Sequence, residues 1–155
     1  MDEVLEKPAS VVFRRDLCRG CNACEYVCST YHEGVSSPSL SRIRVSSDDI
    51  NFTWSVVRCI QCKTMDCYYA CPHKDTALRI DSATGATYID EAYCDGCGLC
   101  VEACRLKDKP IFARRHDGAL TYFKCDLCHE RAEGPACAEV CNRGALTLKE
   151  RSRDV

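Results

Sequence analysis

What this chain of 155 residues lacks narrows its chemistry quickly. No stretch approaches the roughly 18 consecutive apolar residues of a membrane-spanning helix. The start, Met1–Ser10, holds three acidic residues, one lysine and no apolar run, so it does not read as a signal peptide. An excess of positive charge is missing too. A net charge of −2 and a pI near 6.1 argue against nucleic-acid binding. No Ser/His/Asp set, glycine-rich phosphate loop or carboxylate pair stands out, so nothing in the chain would activate a substrate. Ordinary apolar residues are scarce as well. Without its 16 cysteines the apolar share falls from 46% to about 36%, low for a globular domain. A core that thin needs staples, either disulfides or metal.

The residue in excess is cysteine. Such density in a short chain first suggests a secreted disulfide scaffold. With no leader at the start, the chain reads instead as cytoplasmic, where thiols stay reduced and clustered cysteines ligate metal. The cysteines form four quartets with none left over: Cys18, Cys21, Cys24, Cys28; Cys59, Cys62, Cys67, Cys71; Cys94, Cys97, Cys100, Cys104; and Cys125, Cys128, Cys137, Cys141. Every quartet opens C-x2-C and closes C-x3-C, while the middle gap is two, four, two and eight residues in turn. This internal repeat governs the expected fold.

The flanks repeat with the cysteines. Val11–Phe13, Thr53–Val57, Ala86–Ile89 and Leu120–Phe123 precede the quartets, and Leu40–Val45, Ala77–Ile80, Pro110–Ala113 and Ala145–Leu148 follow them. All are short and rich in β-branched or aromatic residues, and they predict strands. Asp81–Gly85 and His116–Gly118 read as hairpin turns, and a third hairpin is expected across Ser46–Asn51 after a loop at Ser36–Pro38. Each repeat is therefore strand, cysteine loop, short helix, strand, an α+β arrangement of short hairpins and short helices.

The spacing selects the metal. C-x2-C-x2-C lets three thiolates converge on one cube, and the cysteine four residues further on lies one helical turn away. Isolated C-x2-C pairs are more often zinc sites, and the fourth quartet alone would pass as one. Three ligands at the spacing of the first and third quartets do not suit tetrahedral zinc, and they point to iron–sulfur clusters.

The first and third quartets resemble two-cluster ferredoxins, in which the fourth cysteine of each quartet ligates the other cluster. The resemblance implies paired quartets. The tight hairpin over 77–89 joins the second and third, which leaves the first to meet the fourth and brings the strand near 11–14 against that near 145–148. The expected sites are then four [4Fe–4S] clusters, held by Cys18, Cys21, Cys24 and Cys141; by Cys125, Cys128, Cys137 and Cys28; by Cys59, Cys62, Cys67 and Cys104; and by Cys94, Cys97, Cys100 and Cys71. The fold would be two interleaved ferredoxin-like modules, one from 11–50 with 115–150 and one inserted at 51–114. Pairing first with second and third with fourth stays open as the alternative.

From Val11 to Leu148 the chain resembles the four-cluster iron–sulfur subunits of molybdenum and tungsten oxidoreductases, of the dimethyl sulfoxide reductase type. Cys24-Glu25-Tyr26-Val27-Cys28-Ser29, His32-Glu33-Gly34 and Pro38–Ile43 look like the small electron-transfer subunits of tungsten aldehyde oxidoreductases and their benzoyl-CoA reductase relatives. That resemblance implies a hetero-oligomer. The chain would relay electrons without catalysing, between a tungsten- or molybdenum-pterin subunit and a flavin (FAD) subunit or soluble ferredoxin. Without long insertions or an anchor, a soluble partner is expected. Two other readings stand beside it: a free polyferredoxin or partner of a hydrogenase, formate or carbon monoxide dehydrogenase, and a zinc-stapled interaction module. One departure is that only Cys71-Pro72 keeps the ferredoxin Cys-Pro ending, where the others read Cys28-Ser29, Cys104-Arg105 and Cys141-Asn142.

With sixteen sulfurs for four cubes, His32, His73, His116 and His129 are not expected as ligands. Trp54, Tyr68 and Tyr69, adjoining the second quartet in sequence, are expected to pack over its cluster. The basic run Arg105, Lys107, Lys109, Arg114, Arg115 fits either a docking patch for an acidic partner or a solvated loop.

Overall fold

The computed structural model describes residues 6–150 and 152–153, so the first five residues of the segment read as leaderless lie outside the described residues. Within them the chain builds antiparallel two-stranded ladders and short helices, a small mixed α and β fold. β1 (Glu6–Lys7) pairs with β10 (Ser152–Arg153), β2 (Ser10–Phe13) with β9 (Leu146–Lys149), and β3 (Arg44–Asp48) with β4 (Thr53–Val57). β5 (Leu78–Ile80) pairs with β6 (Thr87–Ile89), and β7 (Ile111–His116) with β8 (Ala119–Lys124). The helices are α1 (Ala23–Glu33), α2 (Asp66–Ala70), α3 (Leu99–Ala103) and α4 (Ala136–Val140).

The hairpin turns follow from their residues. Asp117 and Gly118 both take positive φ, 49° and 83°, as a two-residue turn between twisted strands requires. In the β5–β6 turn the Asp81 carboxylate accepts hydrogen bonds from Thr84 N at 2.8 Å and Thr84 Oγ1 at 2.6 Å, replacing backbone partners the loop lacks. The β2–β9 ladder is not a hairpin: it joins the two ends of the chain, with Val11 opposite Leu148 and Phe13 opposite Leu146.

The stretch after the first quartet departs from expectation. In place of a short helix and a strand over Leu40–Val45, α1 runs eleven residues to a left-handed cap at Gly34, φ 70°. A 3-10 turn follows at Pro38–Leu40, and the strand begins only at Arg44. No helix breaker stands between Cys28 and Gly34, so the helix continues. Fully buried Ser29 donates to Tyr26 O at 3.1 Å and accepts from Ser37 N at 2.9 Å, which folds the returning chain back onto the helix. Buried Glu25 then accepts from Val45 N at 2.8 Å and fixes where β3 lies against α1.

Two small cores result, and cysteines belong to both. One gathers Ala9, Val11, Cys24, Cys28, Ile43, Ala86, Leu127, Cys137 and Leu146; the other gathers Tyr68, Leu78, Cys100 and Ile111. The first draws its cysteines from the first and fourth quartets, the second from the third, with Cys67 and Cys71 of the second packed against it. α1 packs on α4, and α2 on α3. Between the two groups Arg114 reaches from β7 to Glu33 of α1 at 2.7 and 2.9 Å and to Glu91 at 2.7 Å, its guanidinium lying over the Phe123 ring. Two more residues of the basic run have partners within the chain: exposed Arg105 pairs with Asp66 at 2.9 Å, and Lys109 donates to the Glu102 and Cys104 carbonyls.

Glu25→Ala should leave the Val45 N–H without its acceptor and cost about 1–3 kcal/mol. Thermal unfolding of the metal-loaded protein checks this, a lowered midpoint being the expected outcome.

Candidate metal centres

The four cysteine loops share a backbone device. The residue before the second cysteine takes positive φ in every quartet: Gly20 (67°), Gln61 (53°), Gly96 (74°) and Leu127 (58°). Asn22, Met65 and Gly98 repeat the left-handed turn just before α1, α2 and α3. Such turns curl successive N–H groups toward the inside of the loop and make a concavity that suits negative charge. The fourth quartet differs, because Pro135 precedes α4 with φ −62°, a value its ring imposes. Each of α2, α3 and α4 carries a quartet's third cysteine and ends at its fourth, while α1 carries both Cys24 and Cys28. Sulfurs accept backbone hydrogen bonds directly: Cys28 from Arg42 N at 3.2 Å and Cys59 from Gln61 N at 3.4 Å.

These elements bring the sixteen free cysteines together around four cavities. Cys18, Cys21, Cys24 and Cys141 line one; Cys28, Cys125, Cys128 and Cys137 a second; Cys59, Cys62, Cys67 and Cys104 a third; and Cys71, Cys94, Cys97 and Cys100 a fourth. Their volumes, mouths included, are close to one another, about 390, 360, 380 and 330 Å³ in the same order. Sulfurs of neighbouring cavities lie within electrostatic range: Cys24 with Cys137, Cys59 with Cys125, and Cys67 with Cys100. The cavities therefore follow one another in a single order. The two at its ends each expose one cysteine, Cys21 and Cys97.

Burial makes these thiols poor acids when alone. Burial, with the Glu25 charge behind it, pushes Cys24 up to about 12, and burial pushes Cys100 to about 12 as well. Burial also drives Cys62, Cys67, Cys125 and Cys137 upward. Sulfurs gathered in fours, the inner ones buried, in loops shaped for anions, call for a cation, and four thiolates are the donor set of a [4Fe–4S] cube. The residues fit the group.

Other residues fall differently from their sequence positions. Trp54, adjacent to the second quartet in the chain, lies over the first quartet's loop: a Cβ at Gly20 would stand 2.1 Å from its Nε1. Tyr68 is buried in the second core and donates to Asp75 at 2.5 Å, whereas Tyr69 is exposed. His32 reaches the second cavity but is engaged by Cys28 O at 2.8 Å and Asp126 at 2.9 Å. His129 stacks on Tyr88, His73 meets Asp95 at 2.9 Å, and His116 lies exposed beside Asp117. Two site residues stand outside the sequence expectations. Buried Gln61 donates to Cys125 O at 2.9 Å and accepts from Thr87 N at 2.9 Å, so it ties the second quartet's loop to the fourth's. Lys124, 2% exposed, lines the third cavity. A trace of Lys124 was present: it and Arg58 each directly precede a quartet, where Leu17 and Tyr93 precede the other two, while Gln61 carried no such signal.

Cavities, loops and thiols define a protein of iron–sulfur clusters. Residues 50–151 match the 4Fe-4S dicluster domain family, and the chain belongs to it. Over 144 residues the chain is 38% identical to the aliphatic sulfonate oxidoreductase, polyferredoxin-like subunit, of Pyrococcus furiosus, with 92% of this chain and 76% of that one covered. It is 31% identical over 154 residues to the electron transport protein HydN of Escherichia coli, covering 88% and 85%. Among solved structures, the active site complex BamBC of benzoyl coenzyme A reductase as isolated holds a chain similar to this one. That match has a TM-score of 0.54 and 26% identity, over 94% of this chain and 79% of that one. The protein is an iron–sulfur electron-transfer protein of the kind found as subunits of oxidoreductases.

Gly96→Ala should be far more damaging than Gly118→Ala. Both impose left-handed backbone on alanine, about 1–2 kcal/mol. At Gly96, however, the new Cβ would lie 2.3 Å from the Leu120 carbonyl oxygen, while at Gly118 it meets nothing within 4 Å. Iron content and thermal midpoint of the two variants check the ranking.

Proposed function

We propose that the chain carries four [4Fe–4S] clusters and serves as a non-catalytic subunit that passes electrons between a tungsten- or molybdenum-pterin catalytic subunit and a flavin subunit or soluble ferredoxin. The single observation that carries the cluster count is the lining of the four cavities. Each collects three cysteines of one quartet and the fourth cysteine of another. On this reading Cys18, Cys21, Cys24 and Cys141 hold one cluster, and Cys28, Cys125, Cys128 and Cys137 the next. Cys59, Cys62, Cys67 and Cys104 hold the third, and Cys71, Cys94, Cys97 and Cys100 the fourth. Residues 11–50 with 115–150 then form one ferredoxin-like unit and 51–114 an inserted one. The β2–β9 ladder and the packing of α1 on α4 and α2 on α3 support that division.

An iron–sulfur cube supplies one-electron chemistry with little change in shape. The chain's own residues supply the path. Cys24 beside Cys137, Cys125 beside Cys59 and Cys67 beside Cys100 set the cavities in series, and the exposed Cys21 and Cys97 mark the two ends where partners would exchange electrons. The aldehyde-oxidoreductase type of partner rests on Cys24–Ser29, His32–Gly34 and Pro38–Ile43, and similarity to a polyferredoxin-like subunit of another oxidoreductase supports it. Similarity to HydN, named as an electron transport protein in its own right, favours a second reading, a carrier that moves between enzymes. Copurification separates them: a tagged copy is expected to bring down a large pterin subunit containing tungsten or molybdenum, and recovery as a lone chain would favour the carrier.

The purified chain should contain about sixteen iron and sixteen acid-labile sulfide, against four or more zinc and no sulfide for a zinc-stapled module. Cys21→Ser should lose about a quarter of the iron and weaken the unit of the first and fourth quartets, while the second and third keep their clusters. Stripping the iron should unfold the chain, because the apolar area left without metal is too small to hold it. Circular dichroism of apo and reconstituted protein reads that outcome.

A further inference from the structure

Lys124 is among the most deeply buried side chains of the molecule, and it has no carboxylate partner among the described residues. Its ammonium donates to the Thr87 carbonyl, to Thr87 Oγ1 at 3.0 Å and to Cys125 O at 3.3 Å. All three acceptors are neutral, so they satisfy its hydrogens and leave its charge uncompensated. A buried ammonium in that condition is costly unless negative charge lies close by. The charges it faces are sulfurs of two different cavities, Cys59 and Cys67 of the third and Cys125 of the second. A second cation, Arg58, faces two of those sulfurs, Cys59 and Cys125, together with Cys137, and its Nε donates to Val11 O at 2.8 Å. The two exchange places: Arg58 directly precedes Cys59 but lines the second cavity, and Lys124 directly precedes Cys125 but lines the third. Among the described residues no lysine lines either end cavity; the cations at the Cys18 end are Arg19 and Arg143, and the cavity at the Cys97 end has neither lysine nor arginine in its lining.

We propose that Lys124 is the shared counter-ion of the two inner clusters and raises both of their reduction potentials, which makes the middle of the relay an electron store. The inference rests on the four-cluster reading above. An electron that moves inward leaves an outer cluster oxidised by one and an inner cluster reduced by one, with no proton or bond exchanged. Lys124 favours the product of that step, because the inner site then carries one more negative charge beside a fixed positive one in a medium that screens weakly. Exposure acts in the opposite sense, since water reaches the end clusters at Cys21 and Cys97 and stabilises their reduced forms. The buried lysine offsets that advantage.

The test is an EPR-monitored redox titration of the whole iron-loaded chain, for the unsubstituted protein and for Lys124→Gln, Lys124→Met and Lys124→Arg. Glutamine keeps a donor for Thr87 and Cys125 but removes the charge. In the glutamine and methionine variants, two of the four reduction steps should become tenfold or more less favourable, about 59 mV downward for each tenfold in a one-electron couple, with the other two unmoved. The arginine variant should stay within a few-fold of the unsubstituted chain. Four unmoved steps in the neutral variants, an equal shift of all four, or an arginine variant as shifted as the neutral ones would each overturn the proposal. If both neutral variants lose iron, the proposal requires loss of half of it with the arginine variant intact; loss of all of it, or loss in arginine too, points to a structural role and overturns it. An unsubstituted chain without sulfide or four clusters would instead sink the cluster reading itself.

Discussion

Everything in this molecule depends on how buried sulfur acquires its charge. Cysteines occupy core positions that leucine or valine would fill in a domain of similar size, and burial drives their thiols toward the neutral form. In that form they are merely small apolar groups around cavities, and the two cores hold too few true hydrophobes to offset the conformational entropy of ordering the chain. On the four-cluster reading, metal bonding would reverse the balance: it would make each sulfur a thiolate, fill the cavity and tie together segments far apart in sequence. The rest of the architecture serves those bonds. Left-handed turns before the second cysteine aim the loops, helices (eleven residues in the first quartet, five in the others) place the third and fourth, and two-stranded ladders close the ends.

How legible this was from sequence varies with the range of the interaction. The quartets and the hairpins at 77–89 and 110–123 could be read directly, because spacing, turn residues and β-branched runs are local signals, whereas the ladder between the chain's ends was expected only from the resemblance to two-cluster ferredoxins. The segment after Cys28 could not. Where the chain goes after α1 depends on buried Ser29 and Glu25 finding partners at Ser37 and Val45, contacts that no local pattern announces. Trp54 shows the same limit, since nearness in sequence to the second quartet suggested one cluster and the fold laid the ring on another loop. The basic run looked like surface, yet Arg114 was already committed to Glu33 and Glu91.

The seam between the two cores differs from an ordinary domain interface. Gln61, Thr87, Lys124 and Cys125 form a polar cluster with its hydrogen bonds satisfied, and Arg114, Glu33 and Glu91 form another nearer the surface. Polar groups at buried seams specify one arrangement more sharply than apolar packing does, because a shifted alternative would leave them unpaired. For a protein whose cofactors must sit at fixed separations, a seam that cannot slide is worth its cost in desolvation.

The ladder between β2 and β9 has a consequence for how the protein is made. Val11 emerges from the ribosome long before Leu148, its partner across the ladder, and Cys18, Cys21 and Cys24 emerge long before Cys141. The middle of the chain has no such wait, for residues 59–104 complete the lining cysteines of two cavities by themselves. Synthesis therefore finishes the inner span of the sequence first and leaves the leading thiols bare until the last segment arrives. A cell under oxygen stress would meet this chain at its most vulnerable during that interval, with the four thiols of the first quartet still open to oxidation.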